Sequence, residues 1–160
     1  VEELSKIKGI GLAKACRIIS ALELGRRVSV ASEMQKFKIS SPQDIGNVYM
    51  EELRYKKKEI FRVVLLNTKN VIIGSKDISE GSLNASIVHP REVFLEAIKK
   101  SANKMILMHN HPSGDPTPSS EDINITKRLI SAGQIVGIEI LDHVIIGDGS
   151  FYSFKENGQI

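Results

Sequence analysis

Apolar positions along this chain change period several times, and each change marks an element. From Val1 to Arg27 the spacing is helical: Leu4 and Ile7 lead in, then Leu12, Ala15, Cys16, Ile19 and Leu22 recur every three or four residues. Lys8-Gly9-Ile10-Gly11 interrupts the pattern with two glycines, as a tight turn at positive φ requires, so a helical hairpin is predicted over 1–27. Arg26 to Ile39 has little periodicity and several charges; residues 28–37 read as a linker to a main domain over 38–160. Ser41-Pro42-Gln43-Asp44 then opens a helix, with Ser as N-cap, Pro at the first position and Asp at the third, and Ile45, Val48, Tyr49 and Leu53 form its apolar face.

Ile60 to Leu66 is a near-continuous apolar run and reads as a strand, joined through Asn67-Thr68-Lys69-Asn70 to a hairpin partner at Val71-Ile72-Ile73. Ile78 to Val88 is a less defined extended stretch, and Pro90 starts a helix with Val93, Phe94, Ala97 and Ile98 inward. Met105 to Met108 is a buried strand. Ser119 caps a helix carrying Ile123, Ile125, Leu129 and Ile130. Gln134 to Leu141 and His143 to Ile146 read as two further strands, and Gly147 to Ser150 turns the chain into a last strand, Phe151 to Phe154. Helices alternate with strands, but short turns also join consecutive strands, which predicts a mixed-sheet α/β domain behind a short N-terminal helical hairpin.

Composition adds three limits. No apolar run approaches the length of a membrane span, and nothing resembles a secretory signal, so no membrane partner is expected. The single cysteine, Cys16, excludes an intramolecular disulfide framework, fits a reducing, cytoplasmic setting, and reads as a buried thiol on the first helical stripe. The net charge of +3 is uneven: residues 1–40 hold eight Lys/Arg against four Asp/Glu, whereas the remainder holds fourteen against fifteen. An acidic partner such as nucleic acid would therefore meet the N-terminal quarter.

Candidate chemistry concentrates in His109-Asn110-His111-Pro112-Ser113-Gly114-Asp115-Pro116-Thr117-Pro118-Ser119-Ser120-Glu121-Asp122. Residues i and i+2 of a strand share a side, so His109 and His111 project together from the strand end, and Asp122 falls in the first turn of the next helix. Two imidazoles and a carboxylate from a strand end and a helix start suit a three-ligand zinc site. Asp122 equally suits the plain role of an acidic residue against the helix dipole. His89 and His143 read as packed or hydrogen-bonding histidines. If His143 completed a tetrahedron of protein ligands, the zinc would be structural.

The stretch resembles, position by position, the motif of the JAB/MPN (JAMM) metalloenzymes: His-x-His-Pro, a short loop, then Ser-x-x-Asp. Its wording is similar to the bacterial RadC-like branch, as are the Gly-Ile-Gly hairpin, Glu23-Leu24-Gly25-Arg26-Arg27, His89-Pro90-Arg91-Glu92-Val93-Phe94 and Leu141-Asp142-His143. The resemblance implies an MPN domain with cytidine-deaminase-like layering. It implies one Zn²⁺ per chain held by His109, His111 and Asp122, with a water in the fourth position made nucleophilic by the ion. It implies an amide or isopeptide hydrolase acting on a peptide or protein. Glu59, just before the first core strand, is the implied general base and acid, with Glu92 in reserve; Ser119 is the implied hydrogen-bond donor to the developing oxyanion. Asn110 departs from the Ser or Thr of eukaryotic deubiquitinating members, so their substrate does not carry over. The hairpin resembles part of a helix-hairpin-helix element, which implies DNA contact through residues 6–17 and, as the alternative function, a repair-associated DNA-binding protein whose zinc domain is a scaffold or partner-binding module. Neither the substrate nor the oligomeric state follows from the sequence.

Overall fold

The computed structural model describes residues 1–34, 37–81 and 88–160, with the side chains of Arg26 and of residues 28–34 left aside. It divides into two compact units, Val1–Lys36 and Phe37–Ile160. In the first, α1 (Glu2–Ser5) and α2 (Leu12–Met34) flank a turn in which Gly9 takes a φ of +92°. Two expectations are corrected here. The helix does not stop before the predicted linker but continues to Met34; residues 35–36 of that linker lie outside the described residues. Cys16 is exposed, and so are Leu12, Ile19 and Leu22 of the same stripe. Among the described side chains of this unit only Ala15 is buried, because a four-residue helix offers too little surface to cover a long one.

The second unit is built on one five-stranded sheet in the order β2-β1-β3-β4-β5, formed by β1 (Ile60–Leu66), β2 (Ile72–Glu80), β3 (Lys104–Asn110), β4 (Glu139–Ile146) and β5 (Phe151–Ser153). All pairs are antiparallel except β3 with β4. Every residue of β1 is buried, as its uninterrupted apolar sequence requires of a strand covered on both faces. On one face Phe61, Val63, Leu65, Met105 and Leu107 join Val93, Phe94 and Ala97 of α4 (Pro90–Lys99) and Ile125 and Leu129 of α5 (Ser120–Val136) in a single core. Ile45, Tyr49 and Leu53 of α3 (Pro42–Leu53) are buried as well. The Arg62 guanidinium, 5.5 Å from the Tyr49 ring centroid, binds Glu52 at 2.8 and 2.9 Å and Asp77 at 2.5 and 3.1 Å, which joins α3, β1 and β2. This mixed α/β architecture is the expected fold class.

The helix starts follow the sequence closely. Ser41 with Asp44, and Ser119 with Asp122, each form a reciprocal capping box. One reading is overturned: Gln134 to Val136 finish α5 rather than begin a strand. The two strands expected over 134–146 are the single β4, starting at Glu139. The β-branched Ile135 and Val136 suggest a strand, but the helix persists until Gly137, whose φ of +79° supplies the left-handed C-cap. The extended stretch expected from Ile78 is the end of β2 as far as Glu80; residues 82–87 lie outside the described residues.

Gly147, in the turn after β4, is packed against the loop that follows β3: a Cβ there would stand 2.4 Å from the Gly114 carbonyl oxygen and 2.8 Å from Pro116 Cδ. Backbone atoms leave no rotamer escape, so Gly147→Ala is expected to displace this loop and cost about 1–3 kcal/mol, read as a lowered Tm by calorimetry; a Tm equal to wild type would show that the contact is not constraining.

Candidate metal centre

The parallel β3–α5–β4 unit decides where the polar residues meet. Because β3 and β4 run the same way, the chain leaves the end of β3, turns, and sends α5 back from above the strand ends. His109 is the penultimate residue of β3 and His111 the first beyond it, held by donation from its N–H to the Ile146 carbonyl at 2.9 Å. Asp122 sits at the third position of α5 and Glu59 immediately before β1. These four residues offer ligand atoms that all lie within 4.8 Å of one another.

The individual distances set Glu59 slightly farther out than the other three. His109 Nε2 stands 3.0 Å from His111 Nε2 and 3.2 Å from Asp122 Oδ1, and His111 Nε2 is 3.5 Å from Asp122 Oδ2. A tetrahedral ion roughly 2.0–2.1 Å from each donor sets donors about 3.3 Å apart, close to the His109–His111 separation and to that of His109 from Asp122 Oδ1. Glu59 Oε1 is farther, 3.7 and 3.9 Å from the two nitrogens. Asp122 Oδ2 accepts from the Ser119 N–H and hydroxyl, each at 2.7 Å, which leaves Oδ1 facing His109. Ser119 thus has the helix-capping role. Its hydroxyl also accepts from the Asp122 N–H at 3.2 Å.

Electrostatics follow from these contacts. Burial opposes ionisation of Asp122, but the imidazoles of His109 and His111 beside it outweigh that and hold the carboxyl well below the usual range. The bond to Asp122 in turn raises His111, against a smaller desolvation effect, with help from the Asp115 carbonyl. That carbonyl lies 2.7 Å from His111 Nδ1 and fixes which nitrogen faces the cluster.

Other expected residues are placed elsewhere. Glu92 is exposed beside Arg91 at 3.1 Å and does not join the cluster. His89 is the N-cap of α4, accepting from the Arg91 N–H at 3.1 Å. His143 does not complete the ligand set: it lies behind His109, with its Nε2 2.8 Å from His109 Nδ1. In the N-terminal unit Lys6, Lys8, Lys14 and Arg17 are exposed, and Lys14 Nζ donates to the Gly9 carbonyl at 3.0 Å.

Two features were not read from the sequence. Asn110 points to the opposite side of β3 from His109, as strand alternation dictates. There its Oδ1 accepts from the Ile60 N–H at 2.9 Å, while its Nδ2 donates to the carbonyls of Lys58 at 3.2 Å and Lys56 at 3.4 Å. The residue between the two histidines therefore grips the backbone on both sides of Glu59. The signal available was a fully polar amide between two site residues at the end of an apolar strand. The second feature is Thr126, one helical turn after Asp122 and on the same face, whose hydroxyl bonds both the Asp122 carbonyl and His143.

The model of the family described as "RadC-like JAB domain" matches residues 39–159. The chain is similar to a UPF0758 protein of Alkaliphilus oremlandii, 62% identical over 98% of this chain and 68% of that protein. It is similar to another of Alkaliphilus metalliredigens, 59% identical over 100% and 69%. A third, of Caldanaerobacter subterraneus, is 59% identical over 99% and 68%. These names state no activity.

Removing the Asn110 amide leaves the buried Ile60 N–H without its acceptor. Asn110→Ala is expected to cost about 1–3 kcal/mol, seen as an earlier urea midpoint and as faster hydrogen exchange confined to residues 56–60. Unchanged exchange there would mean that the amide does not hold the segment.

Proposed function

Because this chain belongs to the RadC-like JAB domain family, we propose that it is a zinc-dependent hydrolase of amide or isopeptide bonds in a peptide or protein. The observation that carries this reading is the clustering of His109 Nε2, His111 Nε2 and the Asp122 carboxylate, with Glu59 Oε1 beside them and slightly farther out. Three ligands and a separate carboxylate suit catalytic rather than structural zinc, which needs an open position. When bound, the ion would supply Lewis acidity and make water acidic enough to attack at neutral pH.

The remaining work falls to the protein's own groups. Glu59, its side chain one-fifth exposed, borders a surface cavity lined also by His111, Pro112, Ser113, Ser119 and Glu121, so its carboxylate can meet both water and substrate. It would take the proton of the attacking water and pass it to the leaving amine. The Asn110 grip on the flanking backbone keeps Oε1 at that place. The Ser119 hydroxyl would donate to the oxyanion by turning from Asp122, whose Oδ2 keeps the Ser119 N–H.

Metal analysis of the purified chain is expected to give one zinc, lost in His111→Ala. In a peptide-substrate screen, Glu59→Gln is expected to keep the zinc and lose about 10²–10⁴-fold in rate. Full activity in Glu59→Gln would sink the mechanism, and absence of any bound zinc would sink the reading as a whole.

A second reading, DNA contact through residues 6–17, is favoured by one observation: the turn at Gly9 carries exposed Lys6 and Lys8. Lys8→Glu should then weaken binding of a DNA duplex and flatten its salt dependence; equal affinity for both forms refutes this contact.

A further inference from the structure

His109 Nε2 is bonded into the cluster, and its other ring nitrogen enters a chain of hydrogen bonds that returns to Asp122. His109 Nδ1 lies 2.8 Å from His143 Nε2, His143 Nδ1 lies 2.6 Å from Thr126 Oγ1, and Thr126 Oγ1 lies 2.6 Å from the backbone carbonyl oxygen of Asp122. His109, Thr126 and His143 are all buried, none more than 1% exposed. The Phe154 ring stacks on His143 at 4.9 Å and 14°, and the Phe61 ring is stacked on His109 at 6.2 Å and 21°. Rotation of either imidazole is thus blocked.

The position of every proton in this chain follows from its last member. A carbonyl oxygen only accepts, so the single Thr126 hydroxyl proton must point to Asp122. The Thr126 oxygen then has only a lone pair for His143, and His143 Nδ1 must carry a proton. His143 faces a hydroxyl and another imidazole, and among the described residues no carboxylate meets either of its ring nitrogens to offset a buried charge. It is therefore neutral, and its Nε2 accepts. His109 Nδ1 must then donate, which leaves Nε2 as the nitrogen whose lone pair can bind a cation.

We propose that Thr126 and His143 are positioning residues that lock His109 with its proton on Nδ1 and so present Nε2 to the metal. This rests on the metal-binding reading above. The closed path also ties one ligand on β3 to another on α5 through β4, so the two cannot shift independently. Outer hydrogen bonds of this kind orient a ligand and raise its basicity.

The test uses the whole chain. Long-range ¹⁵N–¹H NMR of the imidazoles, with His143 assigned from the signal lost in His143→Gln, is expected to show neutral His143 protonated on Nδ1, the minor tautomer of a free imidazole. Thr126→Val keeps the shape and removes the hydroxyl. It is expected to release His143 to the Nε2–H form and to weaken Co²⁺ binding about 10–100-fold, followed by the ion's visible absorption, whereas Thr126→Ser restores both. A wild-type His143 carrying its proton on Nε2 overturns the proposal, as does Thr126→Val binding Co²⁺ as tightly as wild type. If Thr126→Val fails to fold, the wild-type tautomer still decides. If the wild type binds no Co²⁺, the hydrolase reading fails, while the His143 tautomer reports on the relay by itself.

Discussion

Strand β3 is hydrogen-bonded along both edges, antiparallel to β1 and parallel to β4, and the whole site depends on that double pairing. The antiparallel edge sets Phe61 opposite His109 and so brings Glu59, two residues upstream, to the end of β3. The parallel edge obliges the chain to cross back through α5, whose N-terminus then lies above the strand ends with Asp122 in its first turn. A slip of one residue in β3 would exchange the faces of His109 and Asn110. It would place an amide where an imidazole is needed and an imidazole against the backbone of residues 56–60.

Such a cluster survives burial only if its polar atoms find partners. His109, Asn110, Asp122, Thr126, Asp142 and His143 are all nearly inaccessible, and each has one. Asp122 is held by Ser119 and the histidines, Asn110 by three backbone groups, and Asp142 by the His143 and Lys155 N–H groups and the Ser153 hydroxyl. Burial raises the Asp142 carboxyl even so, with the Ser153 hydroxyl and the two N–H groups opposing the rise. The apolar layer of Phe61, Phe154 and Leu107 keeps water from these groups and makes an orphaned one costly. Gly147 contributes by letting the loop after β3 pack directly on the turn after β4.

Much of this was legible in the residues themselves. Ser41 and Ser119 announced their helices because a cap is a local interaction between a side chain and the next three residues. The buried strands β1 and β3 announced themselves by apolar runs too short for helices. The error over 134–138 arose because β-branched residues and a helix end compete locally, and the helix ran on to the left-handed cap at Gly137. The strand division at Asp142 failed for a related reason: a carboxylate reads as a break until its three partners are known. Cys16 was misplaced because an apolar stripe shows only that a helix has something to bury.

The sequence by itself determined the elements, the candidate ligands His109, His111 and Asp122, and the family, since each rests on spacing within one short segment. Tertiary structure alone decided which remote groups join them. It brought Glu59 rather than Glu92 to the cluster, gave Asn110 its grip on the Glu59 backbone, and put His143 behind His109, outside the cluster. Those outcomes depend on strand register and on a parallel crossover. Pairings between residues seventeen to fifty apart leave no periodic mark in the chain that makes them.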